Sequence, residues 1–197
     1  MKKWCCKMKL KRVLPFAKQL LMSSVEPGDT VVDATAGNGH DTLFLTELVG
    51  ENGHVFAFDV QEEAIQATSK RLEEANKLEL ATLIQDGHEN LHLYIQQEVS
   101  AAIFNLGYLP GSDHEIITKG DSTQQAIESL LKLLKVGGII VLVVYHGHPG
   151  GKEEKSSILQ YVQSLSQSFV HVLSYQFLNQ QNDPPFIIAI EKMKEQN

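Results

Sequence analysis

The feature that most constrains the fold is a regular alternation of strand-like and helix-like segments from residue 30 onward. Short runs rich in β-branched and aromatic residues predict strands, and longer runs with apolar residues three to four apart predict helices. Strands are predicted over residues 30–34, 54–58, 80–84, 101–106 and 139–145. Helices are predicted over residues 41–49, 62–75, 124–134 and 153–165. This alternation predicts an α/β fold in which helices cover both faces of a parallel sheet.

The two ends of the chain depart from the alternation. Strands predicted near 170–177 and 186–191 follow one another across the loop "LNQQNDPP" without a helix, which predicts an antiparallel hairpin at the sheet edge. A helix is predicted over 13–21 and is ended by "EPGD". With 197 residues and 43% hydrophobic content, we expect one domain, in which a basic helical segment (1–29) precedes a core (30–197).

The first strand runs into a tight glycine turn in "VVDATAGNGHDTLFL", residues 31–45. Gly37 and Gly39, with Asn38 between them, allow a close backbone turn, and the helix that follows directs free N–H groups toward a ligand. The turn lacks the third glycine of a pyrophosphate-binding loop, and Asp33 just ahead of it would repel a diphosphate. We therefore expect the turn from Asp33 to Asp41 to bind S-adenosylmethionine, which is cationic at its sulfonium and has no phosphates.

Further polar residues stand at or just after the ends of the next two predicted strands. Asp59 closes "HVFAFD", where a carboxylate accepts hydrogen bonds from both ribose hydroxyls of a nucleoside, and Gln61 follows within reach of the sugar or the adenine edge. In "IQDGH", Asp86 is expected to accept from the adenine amino group, with His88 bordering the ring. Any one of these carboxylates could be a helix cap or a solvated loop residue. Their order along the chain favours a cofactor site.

Four segments carry a resemblance to a known family: "VVDATAGNGHDTLFL", "VFAFDVQEEAI", "NLGYLPGSDH" and "YHGHPGG". Over residues 31–191 the chain resembles class I methyltransferases of the rRNA methylase (YtqB) group, which is associated with tRNA wobble-uridine modification. The resemblance implies a Rossmann-like fold with a seven-stranded, mostly parallel sheet and S-adenosylmethionine as cofactor. It also implies methylation of the amine of 5-aminomethyl-uridine, or of its 2-thio form, at wobble position 34 in the tRNA anticodon stem-loop.

The fourth predicted strand leads into "FNLGYLPG", where Asn105 and Tyr108 stand three residues apart. They resemble the first and last positions of the Asn-Pro-Pro-Tyr turn of amino-group methyltransferases, in which the amide oxygen accepts from the target nitrogen. Positioning of this kind supplies most of the catalysis when the leaving group is already activated. Leu106 and Gly107 replace both prolines, so the rigid form of that turn is not expected. A simple strand-to-loop turn is the alternative.

After the fifth predicted strand, "VVYHGHPGG" places Tyr145, His146 and His148 in a glycine-rich loop. An alkylamine is largely protonated at neutral pH, so a base or a desolvated site must favour its neutral form. His146 is the candidate proton acceptor, Tyr145 an orienting or stacking group, and His148 a substrate contact. A metal site that combines the two histidines with Asp113 or His114 lacks a recognised spacing, so no metal is expected.

Charge is distributed unevenly along the chain. The net charge is −7, which argues against a nucleic-acid partner for most of the surface, but seven of the 17 basic residues precede the first acidic one, Glu26. Four of them are candidate contacts to tRNA phosphates: Lys7, Lys9, Lys11 and Arg12. A solvated helix face that only aids solubility is the alternative.

Other features of the sequence narrow the possible classes of protein. Cys5 and Cys6 are adjacent and lack the spaced partners of a zinc site, so we expect free thiols. Neither a membrane span nor a secretory signal is recognisable, which predicts a cytoplasmic protein without a membrane partner. A homodimer is a further expectation. The competing functions are an rRNA or small-molecule methyltransferase and a non-catalytic cofactor-binding module.

Overall fold

The computed structural model describes residues 9–107 and 120–195. The strands are β1 (Thr30–Asp33), β2 (His54–Asp59), β3 (Ala81–Gln85), β4 (Val99–Leu106), β5 (Leu134–Val144), β6 (Val170–Tyr175) and β7 (Phe186–Lys192). The helices are α1 (Val13–Ser24), α2 (His40–Val49), α3 (Glu62–Glu74), α4 (Gly120–Leu133) and α5 (Gly151–Ser164). Two short 3₁₀ helices lie at Leu78–Leu80 and His88–Leu93.

All seven strands join one sheet in the order β3-β2-β1-β4-β5-β7-β6. The first five strands are parallel, and β7 is antiparallel to both β5 and β6. The order reverses between β1 and β4, so a crevice opens there at the carboxyl ends of the strands, where open α/β sheets bind ligands. The predicted α/β fold and its C-terminal edge hairpin are confirmed.

Two apolar cores cover the two faces of the sheet. On the first face, α1 and α2 bury Leu21 and Leu45 against odd-numbered strand residues such as Val143. On the second, α4 and α5 bury Ile127 and Ile158 against even-numbered strand residues. Because successive residues of a strand point to opposite faces, odd and even positions at a strand end project to different sides of the crevice.

The structure differs from the sequence prediction mainly at element boundaries. Helix α4 begins four residues before the predicted start, and β5 begins at Leu134, five residues before its predicted start. Residues 135–138, "KVGG", interrupt the pairing of β5 with β4: Leu134 pairs with Val99, the next pair is Ile139 with Ala101, and Gly137 between them is in the left-handed region at φ 82°. The two 3₁₀ helices were not predicted, since segments of three to six residues give no readable helical period.

Helix α1 is packed into the first face of the sheet. Its residues Val13, Ala17 and Leu21 are buried in that core, and the ring of Phe16 stacks on Tyr175 with centroids 4.1 Å apart. The hydroxyl of Tyr175 also donates to the carbonyl of Lys11 at 2.8 Å. Lys11 and the start of α1 are thereby fixed beside the carboxyl ends of β5 and β6. Across residues 9–107 and 120–195, no helix has the length and apolar character needed to cross a bilayer.

Candidate active site

The turn after β1 is held by hydrogen bonds from the strands on both sides. The Ala34 N–H donates to the carbonyl of Ile103 in β4 at 2.9 Å, and the Ala36 N–H donates to the carbonyl of Phe58 in β2 at 2.8 Å. The Gly37 N–H donates to Oδ2 of Asp59 at 2.9 Å. These bonds tie the loop to two neighbouring strands and fix its shape.

Gly39 serves the packing of helices beside this turn. It caps α2 in the left-handed region at φ 73°, and a Cβ there would lie 2.8 Å from the Cα of Thr68 in α3. The same helix reaches the turn through Arg71, whose Nε donates to the carbonyl of Asn38 at 2.6 Å. The close approach that the glycine allows is therefore to α3, a use that the sequence analysis did not identify.

Asp33 lies fully buried beneath the turn and organises it. Its carboxylate accepts from the Thr42 hydroxyl at 2.7 Å and from the Thr35 N–H at 3.2 Å. Burial raises the pKa of Asp33 to about 7, and the negative charges of Asp41 and Asp59 act in the same direction. Three carboxylates thus lie close enough to repel one another, which makes the crevice favourable for a cation.

Asp59 is held by two backbone N–H groups. Oδ1 accepts from Gln61 N–H at 3.0 Å, and Oδ2 accepts from Gly37 N–H at 2.9 Å. An ionised carboxylate has about four acceptor positions, so two are left after these bonds. The residue is only partly buried, and those positions suit a pair of hydroxyl donors.

Asp86 and His88 follow β3 in different environments. The carboxylate of Asp86 accepts from the Gly87 N–H, from Asn90 Nδ2 and from the Tyr94 hydroxyl, and the Asn90 bond is the main factor that lowers the pKa of Asp86. His88 is buried, its Nδ1 lies 3.1 Å from the carbonyl of Ala34, and burial lowers its pKa. A neutral His88 can donate from Nδ1 to that carbonyl, which keeps Nε2 as an acceptor.

Asn105, at the end of β4, is held at both its backbone and its side chain. Its N–H donates to the Thr35 hydroxyl at 2.7 Å, and its Nδ2 donates to Oδ2 of Asp41 at 2.9 Å. The other oxygen of Asp41 lies 3.6 Å from the ammonium of Lys18, which also stands 4.4 Å from the ring centroid of Phe44. Helix α1 thus contributes a cation to a side-chain cluster at the first face of the crevice.

Tyr145 belongs to the same side of the crevice as Asn105. Its ring packs against the core of the first face, and both burial and the nearby charge of Asp41 raise the pKa of its phenol. Its N–H donates to the carbonyl of Leu106 at 3.0 Å, which continues the β4–β5 pairing one residue beyond the strand. The structure therefore brings Asn105, Tyr145 and Asp41 together.

His146 lies on the second face, although the sequence analysis grouped it with Tyr145. Its buried ring packs on Phe186 with centroids 5.7 Å apart, Nε2 lies 3.4 Å from the Lys155 ammonium, and Nδ1 lies 3.8 Å from a carboxylate oxygen of Asp183. Burial and then Lys155 lower its pKa, so the ring is neutral at neutral pH. The two side chains are separated because successive residues of an extended segment point to opposite faces of the sheet. The glycine-rich motif that contains both residues does not show this.

The remaining predicted contacts lie around this centre or outside the described part of the chain. His148 has Nε2 2.8 Å from the carbonyl of Tyr145 and Nδ1 3.0 Å from that of Pro149. Lys9, Lys11 and Arg12 are exposed before α1. Lys7, Tyr108, Asp113 and His114, together with Cys5 and Cys6, lie outside the described residues.

Four residues that shape the site were missed in the sequence analysis: Lys18, Thr35, Thr42 and Lys155. Each contacts a partner with which no sequence motif connects it, and threonine and lysine are common residue types, so the sequence does not mark these four positions. Within the residues that the structure describes, no group of three or more histidine, cysteine or acidic side chains is arranged to hold a metal ion.

Comparisons with known proteins bear on this arrangement. Residues 55–191 match the family described as "Putative rRNA methylase". A chloroplastic protein of Arabidopsis thaliana named tRNA (mnm(5)s(2)U34)-methyltransferase is 37% identical to the chain, over 85% of this chain and 65% of that protein. The chain therefore spans somewhat less than two thirds of the length of this relative.

Two crystal structures share the whole architecture. One, of a "putative rRNA-methylase" from Clostridium thermocellum, is 46% identical with a TM-score of 0.93, over 94% of this chain and 100% of that one. The other, of a "putative methyltransferase" from Streptococcus mutans in complex with SAH, is 40% identical with a TM-score of 0.87, over 93% of this chain and 99% of that one. The family resemblance expected from the sequence motifs is confirmed.

Proposed function

The chain belongs to the putative rRNA methylase family, and from this premise we propose that it is an S-adenosylmethionine-dependent RNA methyltransferase. Its proposed reaction methylates the amine of 5-aminomethyl-uridine, or of the 2-thio form, at the wobble position of tRNA. Support for the substrate comes from the name of the Arabidopsis relative. The observation that carries the proposal in this chain is Asn105, whose amide is oriented by Asp41 at the rim of the turn.

The residues of the turn fit a cationic nucleoside cofactor. Asp33, Asp41 and Asp59 place negative charge around the turn, and the raised pKa of Asp33 reflects its burial first and then repulsion by the other two carboxylates. S-adenosylmethionine supplies the electrophilic methyl group on its positively charged sulfonium. Asp59 would accept from the ribose hydroxyls, and Gly37, Asn38, Gly39, Gln61, Asp86 and His88 would complete the pocket.

The acceptor side would hold the amine through Asn105. A primary amine donates N–H bonds, and the amide oxygen of Asn105 and a neighbouring backbone carbonyl can accept them, which directs the nitrogen lone pair toward the methyl group. Tyr145 lies on the same face and would orient or stack on the uridine, with Tyr108 and His148 as further contacts. His146 would be a weak proton acceptor on the other side of the crevice, because burial and then Lys155 lower its pKa.

The partner would be the anticodon stem-loop of tRNA. Lys9, Lys11 and Arg12 are exposed at a segment that Tyr175 and Phe16 fix beside the carboxyl edge of the sheet, where they can meet phosphates that flank the target base. Lys7 would extend this cationic segment. The homodimer expected from the sequence stays a prediction.

Replacement of Lys9, Lys11 and Arg12 by glutamine should weaken tRNA binding and flatten its salt dependence. Each phosphate that is no longer neutralised by a cation reduces the slope of log affinity against log salt by roughly 0.7 to 0.9. Binding is measured by fluorescence anisotropy from about 50 to 200 mM salt. Lys70 in α3 and Lys77 just after it are replaced as the control, because they belong to a different element from residues 9–12. A fall in affinity with an unchanged slope would show that the residues act through folding.

The decisive experiment measures the modified nucleosides of tRNA by mass spectrometry. A strain that lacks the gene should accumulate 5-aminomethyl-uridine or its 2-thio form and lose the methylated product. Purified protein with S-adenosylmethionine should then convert the accumulated nucleoside in that tRNA. Unchanged tRNA nucleosides, with a missing methyl group in rRNA or in a small molecule instead, would overturn the assignment of substrate. Cofactor binding without any methyl transfer would indicate a binding module.

A further inference from the structure

The amide of Asn105 has its orientation imposed by a charged partner. A carboxylate oxygen can only accept a hydrogen bond, so the group of Asn105 that lies 2.9 Å from Oδ2 of Asp41 is its NH₂. The carbonyl oxygen of a planar amide lies on the opposite branch. Asn105 therefore turns its oxygen away from Asp41, while its backbone is held by the Thr35 hydroxyl at 2.7 Å.

Asp41 is itself held in place. Its Oδ1 lies 3.6 Å from the Lys18 ammonium, and it stands in the first turn of α2, where the helix dipole favours a negative charge. The side chain of Asp41 is only 17% exposed. Each of its two oxygens thus has a partner on a different element, Lys18 on α1 and Asn105 on β4.

We propose that Asp41 is a positioning residue, which fixes the amide of Asn105 so that its oxygen faces the methyl acceptor and the site selects an N–H donor. This inference rests on the proposed function and deepens it. In the reverse orientation, Asn105 would present its NH₂ to an amine and leave the N–H groups of the amine without this acceptor. The sequence predicts a cofactor contact for Asp41, whereas in the structure its carboxylate contacts Asn105 and Lys18.

The two assignments of Asp41 predict opposite results for cofactor affinity. If Asp41 positions Asn105, Asp41→Ala should lower the single-turnover rate on 5-aminomethyl-uridine tRNA by about 10- to 100-fold. The dissociation constant of S-adenosylmethionine, measured by calorimetry, should rise by much less than the rate falls, and by the same factor in Asp41→Ala and Asp41→Asn, because both remove the same negative charge from the crevice. Asp41→Asn keeps an oxygen that can accept from Asn105 and should restore most of the rate. Asp121→Ala, which removes an exposed acid from the first turn of α4, is the matched control.

A double-mutant cycle tests whether Asp41 acts through Asn105. Asp41→Ala should cost nothing further in an Asn105→Ala background, because the group that it positions is already gone. If the two reductions in rate multiply, or if Asp41→Ala weakens cofactor binding as much as it slows turnover, the positioning role is wrong.

A readout that is independent of the reaction separates this inference from the proposed function. The side-chain amide protons of Asn105, observed by ¹⁵N-edited NMR, should be shifted and slow to exchange in the wild type and in Asp41→Asn, and ordinary in Asp41→Ala. If wild-type protein fails to methylate the tRNA but shows this pattern, the substrate assignment is wrong, while the conclusion that Asp41 orients the Asn105 amide is supported. If the Asn105 amide is the same in all three proteins, Asp41 does not orient it.

Discussion

Two pairs of strand ends border the crevice, β1 with β2 and β4 with β5. The two pairs are held by different kinds of hydrogen bond. At the first pair, the carboxylates of Asp33 and Asp59 accept three hydrogen bonds from backbone N–H groups, and Asp33 accepts one more from the Thr42 hydroxyl. At the second pair, side chains hold side chains, as Asp41 holds Asn105 and Lys155 flanks His146. Bonds to the main chain thus predominate at the first pair, and bonds between side chains predominate at the second.

This difference predicts that single substitutions separate the two halves of the crevice. Changes at the ends of β4 and β5 should slow methyl transfer and leave cofactor binding intact. Changes at the ends of β1 and β2 should weaken cofactor binding first.

The largest effect is expected for Asn105→Ala. Loss of the amide oxygen should lower turnover by about 10² to 10⁴, the range for a lost positioning or proton-transfer group, with nearly normal binding of S-adenosylmethionine. Turnover is measured on tRNA that carries 5-aminomethyl-uridine, and Asn179→Ala in the exposed loop before β7 is the control. A variant that binds the cofactor tens of times more weakly would break the division between the two halves.

Asp59→Ala tests the other half. Removal of a charged acceptor for two hydroxyls should weaken S-adenosylmethionine binding by roughly 2 to 3 kcal/mol, which is about 30- to 150-fold in the dissociation constant. Because Asp59 also binds the N–H groups of Gly37 and Gln61, Asp59→Asn is measured beside it to keep part of that support. Glu63→Ala on the exposed face of α3 is the control. Unchanged affinity in calorimetry would rule out a ribose contact.

His146→Ala is expected to have a smaller effect than Asn105→Ala, about tenfold at neutral pH. The ring lies on the second face beside Phe186, away from the cluster of Asn105 and Asp41. Since a larger fraction of the substrate amine is neutral at high pH, the effect should shrink between about pH 7 and 9. His171→Ala, an exposed histidine of β6, is the control. A reduction as large as that of Asn105→Ala would show that both faces carry the chemistry.

The sequence predicted the fold well because the information is local. The strand and helix periods of the parallel part, the edge hairpin and the acidic end of β2 are each readable within a few residues. Boundaries were less well predicted, since the early start of β5 depends on one pair, Leu134 with Val99, which lies before an irregularity in the strand.

The candidate site could be predicted only in part, because its geometry depends on contacts between distant residues. Asn105 and Asp41 are 64 positions apart, and nothing near either one indicates that they meet. In the sequence, Lys18 is one of the seven basic residues that precede Glu26. Only the packing of α1 places it beside Asp41. The separation of Tyr145 from His146 could have been predicted, because successive residues at the end of β5 point to opposite faces of the sheet. The motif "YHGHPGG" instead led to the two residues being grouped together.

The smallest expected effect concerns the charge of Asp33, in the half of the crevice that is proposed to bind the cofactor. Its pKa of about 7 lies above the usual value of 3.8, so the native state binds more protons than the unfolded state between these pH values. This carboxyl therefore makes stability fall as pH rises through that window. A bound cofactor with a net positive charge would lower the pKa of Asp33, so binding near pH 7 should release a fraction of a proton.

Calorimetry in two buffers of different ionisation enthalpy measures this release. It should be greatest near pH 7 and vanish near pH 5, where Asp33 stays protonated, and near pH 9, where it is already ionised. S-adenosylhomocysteine lacks the sulfonium charge and should release less. Asp33→Asn, which can keep the bonds to Thr42 and Thr35, should abolish the release while the protein still folds. If Asp33→Asn released as many protons as the wild type, the negative charge that attracts the cofactor would have to lie elsewhere in the turn.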